Sequence, residues 1–148
     1  MTTHVHNRKA RFHYDFLEEF EAGVQLFGHE VKAIKAGQAS LNGAYVIIRG
    51  AEAFLVGATI SPYQAANTPD SYDPERPRKL LLHRKELDKL DRESVQSRLT
   101  VVPIKWYSKD GKVKLSVVLA RGKKKADKRE ALKERDTKRD IQRILKNQ

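Results

Sequence analysis

Tyr14-Asp-Phe-Leu-Glu-Glu-Phe-Glu-Ala-Gly-Val-Gln-Leu26 alternates along its length. The even positions Tyr14, Phe16, Phe20, Ala22, Val24 and Leu26 are apolar, and only Glu18 interrupts them. The odd positions Asp15, Glu19, Glu21, Gly23 and Gln25 are mostly polar, with Leu17 the exception. Period two is the mark of a strand with one face buried. The rival reading is a short helix over Tyr14–Ala22 stopped by Gly23. The regularity of the alternation favours the strand.

Working outward, Gly28 ends that strand. His29–Ala36 places Val31 and Ile34 on one helical face, with Gly37 as the stop, and predicts a short helix. Ala44–Arg49 and Glu52–Ile60 are β-rich runs joined at Gly50-Ala51, a hairpin. Residues 62–77 hold four of the five prolines, and read as a loop long enough to suggest a function. Lys79–Leu82 leads into a helix over Arg84–Asp91, where Leu87 and Leu90 lie one turn apart. Leu99–Tyr107 is a strand, and Asp110-Gly111 is a strong turn signal. Lys112–Ala120 alternates again, with Val113, Leu115, Val117 and Leu119 inward and Lys114 and Ser116 outward.

Five or six antiparallel strands leave two edges to hide, and closing the sheet hides them. The pattern predicts a mainly β protein, a small closed antiparallel barrel of the oligonucleotide-binding type with short flanking helices. The barrel is expected over residues 1–120, with residues 1–10 as a flexible N-terminus holding His4 and His6.

Residues 121–148 carry twelve Lys or Arg against five Asp or Glu, a net +7 of the chain's +11. Their few large aliphatics, Leu132, Ile141, Ile144 and Leu145, offset little of the roughly 1–2 kcal/mol per residue that backbone ordering costs. Such a tail is expected to be disordered alone and helical against a polyanion, and the abundant cellular polyanion is nucleic acid. Lys138, Arg139 and Arg143 are its candidate phosphate contacts, and Ile141 and Ile144 its apolar anchor.

The sequence has no nucleophile elbow, phosphate loop, dinucleotide fingerprint or zinc-ligand spacing. It has no cysteine, and so no disulfide framework. No enzyme, metal or cofactor is expected. No apolar run approaches the roughly 20 residues that span a bilayer, and no signal-peptide pattern opens the chain. The expected location is the cytoplasm, away from membranes. Basic residues also cluster at Arg76-Pro-Arg78-Lys79 and around Lys105-Trp106-Tyr107. There, Arg78, Lys79 and Lys105 are candidate RNA contacts. Trp106 either stacks on an unpaired base or packs in the core.

Taken in order, several strings resemble the small protein B family, the SsrA-binding proteins of bacterial trans-translation. They are Asn7-Arg-Lys-Ala-Arg11, Glu21-Ala-Gly23, Glu30-Val-Lys32, Asp73-Pro74, Arg76-Pro-Arg-Lys-Leu-Leu-Leu82, Gly122-Lys-Lys124 and Asp127-Lys-Arg129. The resemblance covers nearly the whole chain. It implies a non-enzymatic adaptor that binds the tRNA-like domain of transfer-messenger RNA (SsrA RNA) and brings it to stalled ribosomes. By position it implies RNA contacts at Glu21, Leu81 and Lys114, with Asn7 in a string of the same role. It implies ribosome contacts at Gly122, Lys123, Lys124, Asp127, Lys128 and Arg129. Many relatives carry His where this chain has Phe12, with His13 beside it. The implied partners are transfer-messenger RNA and the ribosome, at its decoding centre and empty messenger channel. Elongation factor Tu and alanyl-tRNA synthetase follow indirectly through the RNA. The physical chemistry is compatible. Lys114 can pair with phosphate, and Leu81 can pack on a base or ribose. Glu21 either accepts from base amino groups or fixes a neighbouring cation. The competing reading is a general single-stranded RNA-binding protein of the cold-shock type.

Overall fold

The computed structural model describes residues 1–64, 66 and 68–123. Among them the fold is mainly β, with three flanking helices. The opening strand β2 (Tyr14–Val24) pairs antiparallel with β9 (Lys112–Gly122) along most of its length. At its far end it pairs with β7 (Arg78–Leu81), through Gly23↔Leu81 and Val24↔Leu80. β8 (Thr100–Lys109) returns into β9 through Asp110 and Gly111. Both turn residues have positive φ, 51° and 77°, the geometry whose twist suits a two-residue hairpin.

The hairpin of β4 (Tyr45–Arg49) and β5 (Glu52–Val56) turns at Gly50 and Ala51. β5 pairs with β7, and β4 meets β8 at Val46↔Val101. The pairings run β8-β4-β5-β7-β2-β9, and β9 pairs with β8 again. A separate ladder joins β3 (Ala39–Ser40) to β6 (Thr59–Ile60).

The helices are α1 (Ala10–His13), α2 (Gly28–Lys35) and α3 (Arg84–Gln96). α3 precedes the β8–β9 hairpin, where the sequence places a helix. It buries Leu87 and Leu90 against the main core. Trp106 lies wholly inside that core with Phe20, Leu55, Leu115 and Val117. The alternative of Trp106 stacking on a base is therefore closed.

The structure corrects three expectations. The apolar row of β2 does not face one way. Leu17 is a bulge between the pairs Phe16↔Ala120 and Glu18↔Leu119. A bulge sets two residues against one and turns the later side chains over. Tyr14 and Phe16 therefore pack with Ala10, Val102, Ile104, Val118 and Ala120 on one face. Phe20 and Ala22 join the main core on the other. Glu18, the break in the row, pairs instead with Lys89 of α3 at 2.6 Å.

The N-terminus is not frayed. β1 (Thr2–His6) pairs with β8, and His4 Nε2 lies 2.7 Å from Ser108 Oγ. A free edge on β8 gives residues 2–6 a backbone partner, which composition does not reveal.

Lastly, β9 runs past Ala120. Tyr14 pairs with Gly122, Asp15 with Arg121, and the Lys123 N–H donates to His13 O at 2.8 Å. The composition changes at Arg121, but the register continues because β2 still offers backbone groups there. The rest of the tail, from Lys124 onward, lies outside the described residues. That includes Lys124, Asp127, Lys128, Arg129, Lys138, Arg139, Ile141, Arg143 and Ile144.

Candidate nucleic-acid interface

After the Leu17 bulge, Glu19, Glu21 and Gly23 share the face of β2 opposite the main core. Glu21 stands opposite Ser116 of β9, and Ser116 opposite Lys105 of β8. One row on, Lys114 stands opposite Tyr107, then Lys112 opposite Lys109. Gly23 stands opposite Leu81 of β7. Four strands thus bring Leu81, Gly23, Glu21, Lys114, Lys105, Tyr107 and Lys109 onto one surface. Lys79 alternates with Leu81 on the same face of β7 and bonds Glu52 across β5 at 3.3 Å.

Gly23 carries no side chain, and this opens a groove. A Cβ there would meet Leu81 Cβ at 3.3 Å, tight packing for two carbons. The groove of about 370 Å³ is lined by Gly23, Val24, Leu26, Leu81, Lys112 and Lys114 among others. Leu81 is 51% exposed on its rim. An aliphatic side chain held out of the core beside lysines suits an RNA backbone and its bases more than a metal or a small metabolite.

Glu21 is held in this cationic surface. The Tyr107 hydroxyl donates to Glu21 Oε2 at 2.6 Å, and Lys109 Nζ lies 3.4 Å from the same oxygen. The Tyr107 bond, with Lys109 and Lys114, outweighs desolvation and lowers the Glu21 carboxyl below its ordinary value. Burial, followed by the Glu21 bond and charge, raises the Tyr107 hydroxyl far above its ordinary value. Tyr107 thus remains a donor throughout the physiological range. Ser116 donates in the same way to Glu19.

Two other expected residues lie elsewhere. Arg78 is not on the surface: its side chain is fully buried. Its Nε donates to Glu30 Oε2 at 2.9 Å, and its Nη atoms donate to Tyr72 Oη and to the carbonyls of Ala58, Pro74 and Arg76. No N–H remains for RNA. Arg78 and Glu30 tie the proline-rich loop to α2 through Tyr72, Pro74 and Arg76.

Asn7 is also buried, and its side-chain amide donates to Pro103 O at 2.9 Å and Leu41 O at 3.3 Å. It lines a separate cleft of about 410 Å³ with Lys9, His13, Tyr45, Gly122 and Lys123. That cleft sits near Tyr14, about 30 Å along β2 from Gly23 by strand rise. Among the described residues, the expected site residues other than the buried Arg78 fall into two places, one toward each end of β2.

Sequence reading missed Lys109 and Gly23. The signal for Lys109 was the step of two from Lys105 and Tyr107. Gly23 stood in the family string Glu21-Ala-Gly23, but its part in the groove comes from the pairing with Leu81, which is tertiary.

Among the described residues no cluster of His, Asp or Glu is set to hold a metal ion, and no helix is long and apolar enough to cross a membrane. A mainly β sheet with a lysine-rich, partly apolar open face is a nucleic-acid-binding module in kind. The SmpB protein family matches the chain over residues 4–147. The SsrA-binding protein of Gloeothece citriformis is 53% identical over 140 residues, 95% of this chain and 90% of that one. The SsrA-binding protein of Trichormus variabilis is 52% identical over 141 residues, 95% of this chain and 91% of that one. A solved structure described as "tmRNA-SmpB: a journey to the center of the bacterial ribosome" superimposes with a TM-score of 0.68 at 40% identity, covering 86% of this chain and 92% of that one. The chain belongs to the SmpB protein family.

Proposed function

We propose that this chain is a non-enzymatic RNA-binding adaptor of trans-translation, acting in the cytoplasm. It holds the tRNA-like domain of transfer-messenger RNA and carries that RNA to stalled ribosomes. The observation that carries the reading is the row Leu81–Gly23–Lys114 across β7, β2 and β9. It sets an exposed aliphatic and a cation on either side of an open groove. Family membership supplies the RNA. The ring of pairings from β8 round to β9 supports a closed barrel of the oligonucleotide-binding type. Elongation factor Tu and alanyl-tRNA synthetase are partners through the RNA.

On this reading the second cleft, with Asn7, His13, Gly122 and Lys123, starts the path of the tail toward the ribosome. Lys128, Arg129, Lys138, Arg139 and Arg143 meet ribosomal RNA phosphates in a vacant messenger channel. Ile141 and Ile144 anchor the far end, and an occupied channel excludes the tail.

Binding to the tRNA-like RNA, measured against salt, tests the first site. Lys114→Ala weakens binding and lowers the salt slope by about one unit if it meets one phosphate. Leu81→Ala weakens binding with an unchanged slope. Equal slopes for wild type and Lys114→Ala reject the phosphate contact. Unstructured RNA of equal length displaces the tRNA-like RNA only if the cold-shock alternative holds. Replacing Asp127, Lys128 and Arg129 by alanine spares RNA binding and blocks tagging. Tagging at the wild-type rate reduces the tail to an electrostatic tether.

A further inference from the structure

Glu21 is an anion in a surface rich in lysine, where its neighbour Glu19 is engaged by the Ser116 hydroxyl. An ionised carboxylate only accepts hydrogen bonds. It repels phosphate and satisfies itself only with N–H or O–H donors. In the described structure its Oε2 takes both protein bonds, from Tyr107 at 2.6 Å and from Lys109 at 3.4 Å. Among the described residues nothing bonds Oε1. The side chain is 40% exposed. Glu21 lines an open cleft with Glu19, Lys105 and Tyr107 among others.

The Tyr107 ring is almost fully buried in the sheet, with Lys105 Nζ over it at 5.5 Å. The hydroxyl therefore projects from a rigid base, not from a mobile surface side chain. A donor fixed in this way selects one orientation of the carboxylate.

We propose that Tyr107 is a positioning residue, holding Glu21 so that its free oxygen accepts from a hydrogen-bond donor of an unpaired nucleotide. The inference rests on the RNA-binding reading above. The donor is a base amino group or a ribose 2′-hydroxyl. Through a base amino group Glu21 reads the base, and through a 2′-hydroxyl it distinguishes RNA from DNA, while the lysines supply affinity. Lys109 has a secondary part, because its longer bond and half-exposed chain restrain the carboxylate less.

The test is a double-mutant cycle in the full chain, read as affinity for the tRNA-like RNA. Tyr107→Phe keeps the buried ring and removes the hydroxyl. It weakens binding by about tenfold to a hundredfold, the range of one hydrogen bond to a charged group, with an unchanged salt slope. In a Glu21→Ala background the same substitution has no further effect. An equal loss in both backgrounds overturns the proposal, because Tyr107 then acts independently of Glu21. Wild-type affinity in Tyr107→Phe also overturns it.

Carbon-detected NMR titration provides a readout separate from RNA. Tyr107→Phe raises the Glu21 carboxyl toward its ordinary value, and an unmoved titration contradicts the positioning role. Inosine for guanosine, purine riboside for adenosine and pyrimidin-2-one riboside for cytidine remove the base amino groups of the unpaired loops, and 2′-deoxy substitutions remove the ribose hydroxyls, so the two sets of substitutions separate the donor sources. One of them must weaken wild type more than Glu21→Ala, and if neither does the donor contact is wrong. Lys114→Ala and Leu81→Ala are the control for the site itself. If they weaken binding while Tyr107→Phe does not, the interface stands and the positioning fails. If none of the three matters, the interface is misplaced.

Discussion

Glu30→Ala will destabilise this fold about as much as truncating a large core aliphatic. Glu30 is fully buried on α2, and so is its partner Arg78 on β7. Its Oε1 accepts the Phe27 N–H at 2.8 Å, capping α2, and also bonds Arg76. Its Oε2 accepts from Tyr72 at 3.0 Å, Arg76 Nε at 3.1 Å and Arg78 Nε at 2.9 Å. Alanine removes these acceptors and strands the Arg78 charge in the interior. Breaking one side of a buried pair costs about 3–5 kcal/mol, against a total of about 5–15 kcal/mol for a domain. With an unfolding entropy near 2.1 cal/mol/K per residue, that lowers Tm by about 12–20 °C. Urea unfolding followed by the single Trp, buried at position 106, measures it directly. The double variant Glu30→Met with Arg78→Met recovers part of the loss, because no charge is then stranded. The pH dependence has a definite sign. Burial raises the Glu30 carboxyl, but the bonds from Arg76, the Phe27 N–H and Arg78 outweigh burial and set it below its ordinary value of 4.5. Its contribution is therefore present above about pH 4.5 and is lost as pH falls through the lower folded value. Glu30→Gln lacks that slope. A loss under about 1 kcal/mol in Glu30→Ala, less than one buried pair is worth, would refute the reasoning.

Gly23→Ala places a methyl 3.3 Å from Leu81 Cβ. It pushes Leu81 off the groove, and RNA affinity falls while Tm moves by only a few degrees. A variant with wild-type affinity shows that the groove is not used. Asn7→Ala removes the amide donor to Pro103 O and one of the donors to Leu41 O, which keeps the Ala44 N–H. It costs about 1–3 kcal/mol in urea unfolding, with RNA affinity at the groove unchanged; the reverse pattern makes Asn7 a contact residue. A chain ending at Lys123 unfolds cooperatively at nearly the full-length Tm. Ending at Ala120 loses the Arg121 and Gly122 pairings and the Lys123 bond to His13, and it unfolds at a lower Tm. Equal Tm values for the two truncations would show that the last residues of β9 contribute nothing.

Local chemistry decided much of this protein. Period two in Tyr14–Leu26 and Lys112–Ala120, the Asp110-Gly111 turn, and the spacing of Leu87 and Leu90 each specify an element through contacts near in sequence, so one chain suffices to read them. The ordered family strings did the same for identity. What the sequence left undetermined depended on which strand lies beside which. The Leu17 bulge exists only in the β2–β9 register, and it decides that Phe16 and Phe20 face opposite ways. Arg78 and Lys79 are adjacent and equally basic. Yet strand alternation and the position of Glu30 put one inside the protein and the other on the groove face. Asn7 and Glu21 both sat in family strings, but only packing shows that Asn7 braces buried carbonyls while Glu21 stands in a surface of lysines. A cation's role is set by whether a carboxylate or water meets it, and that partner comes from a segment distant in the chain.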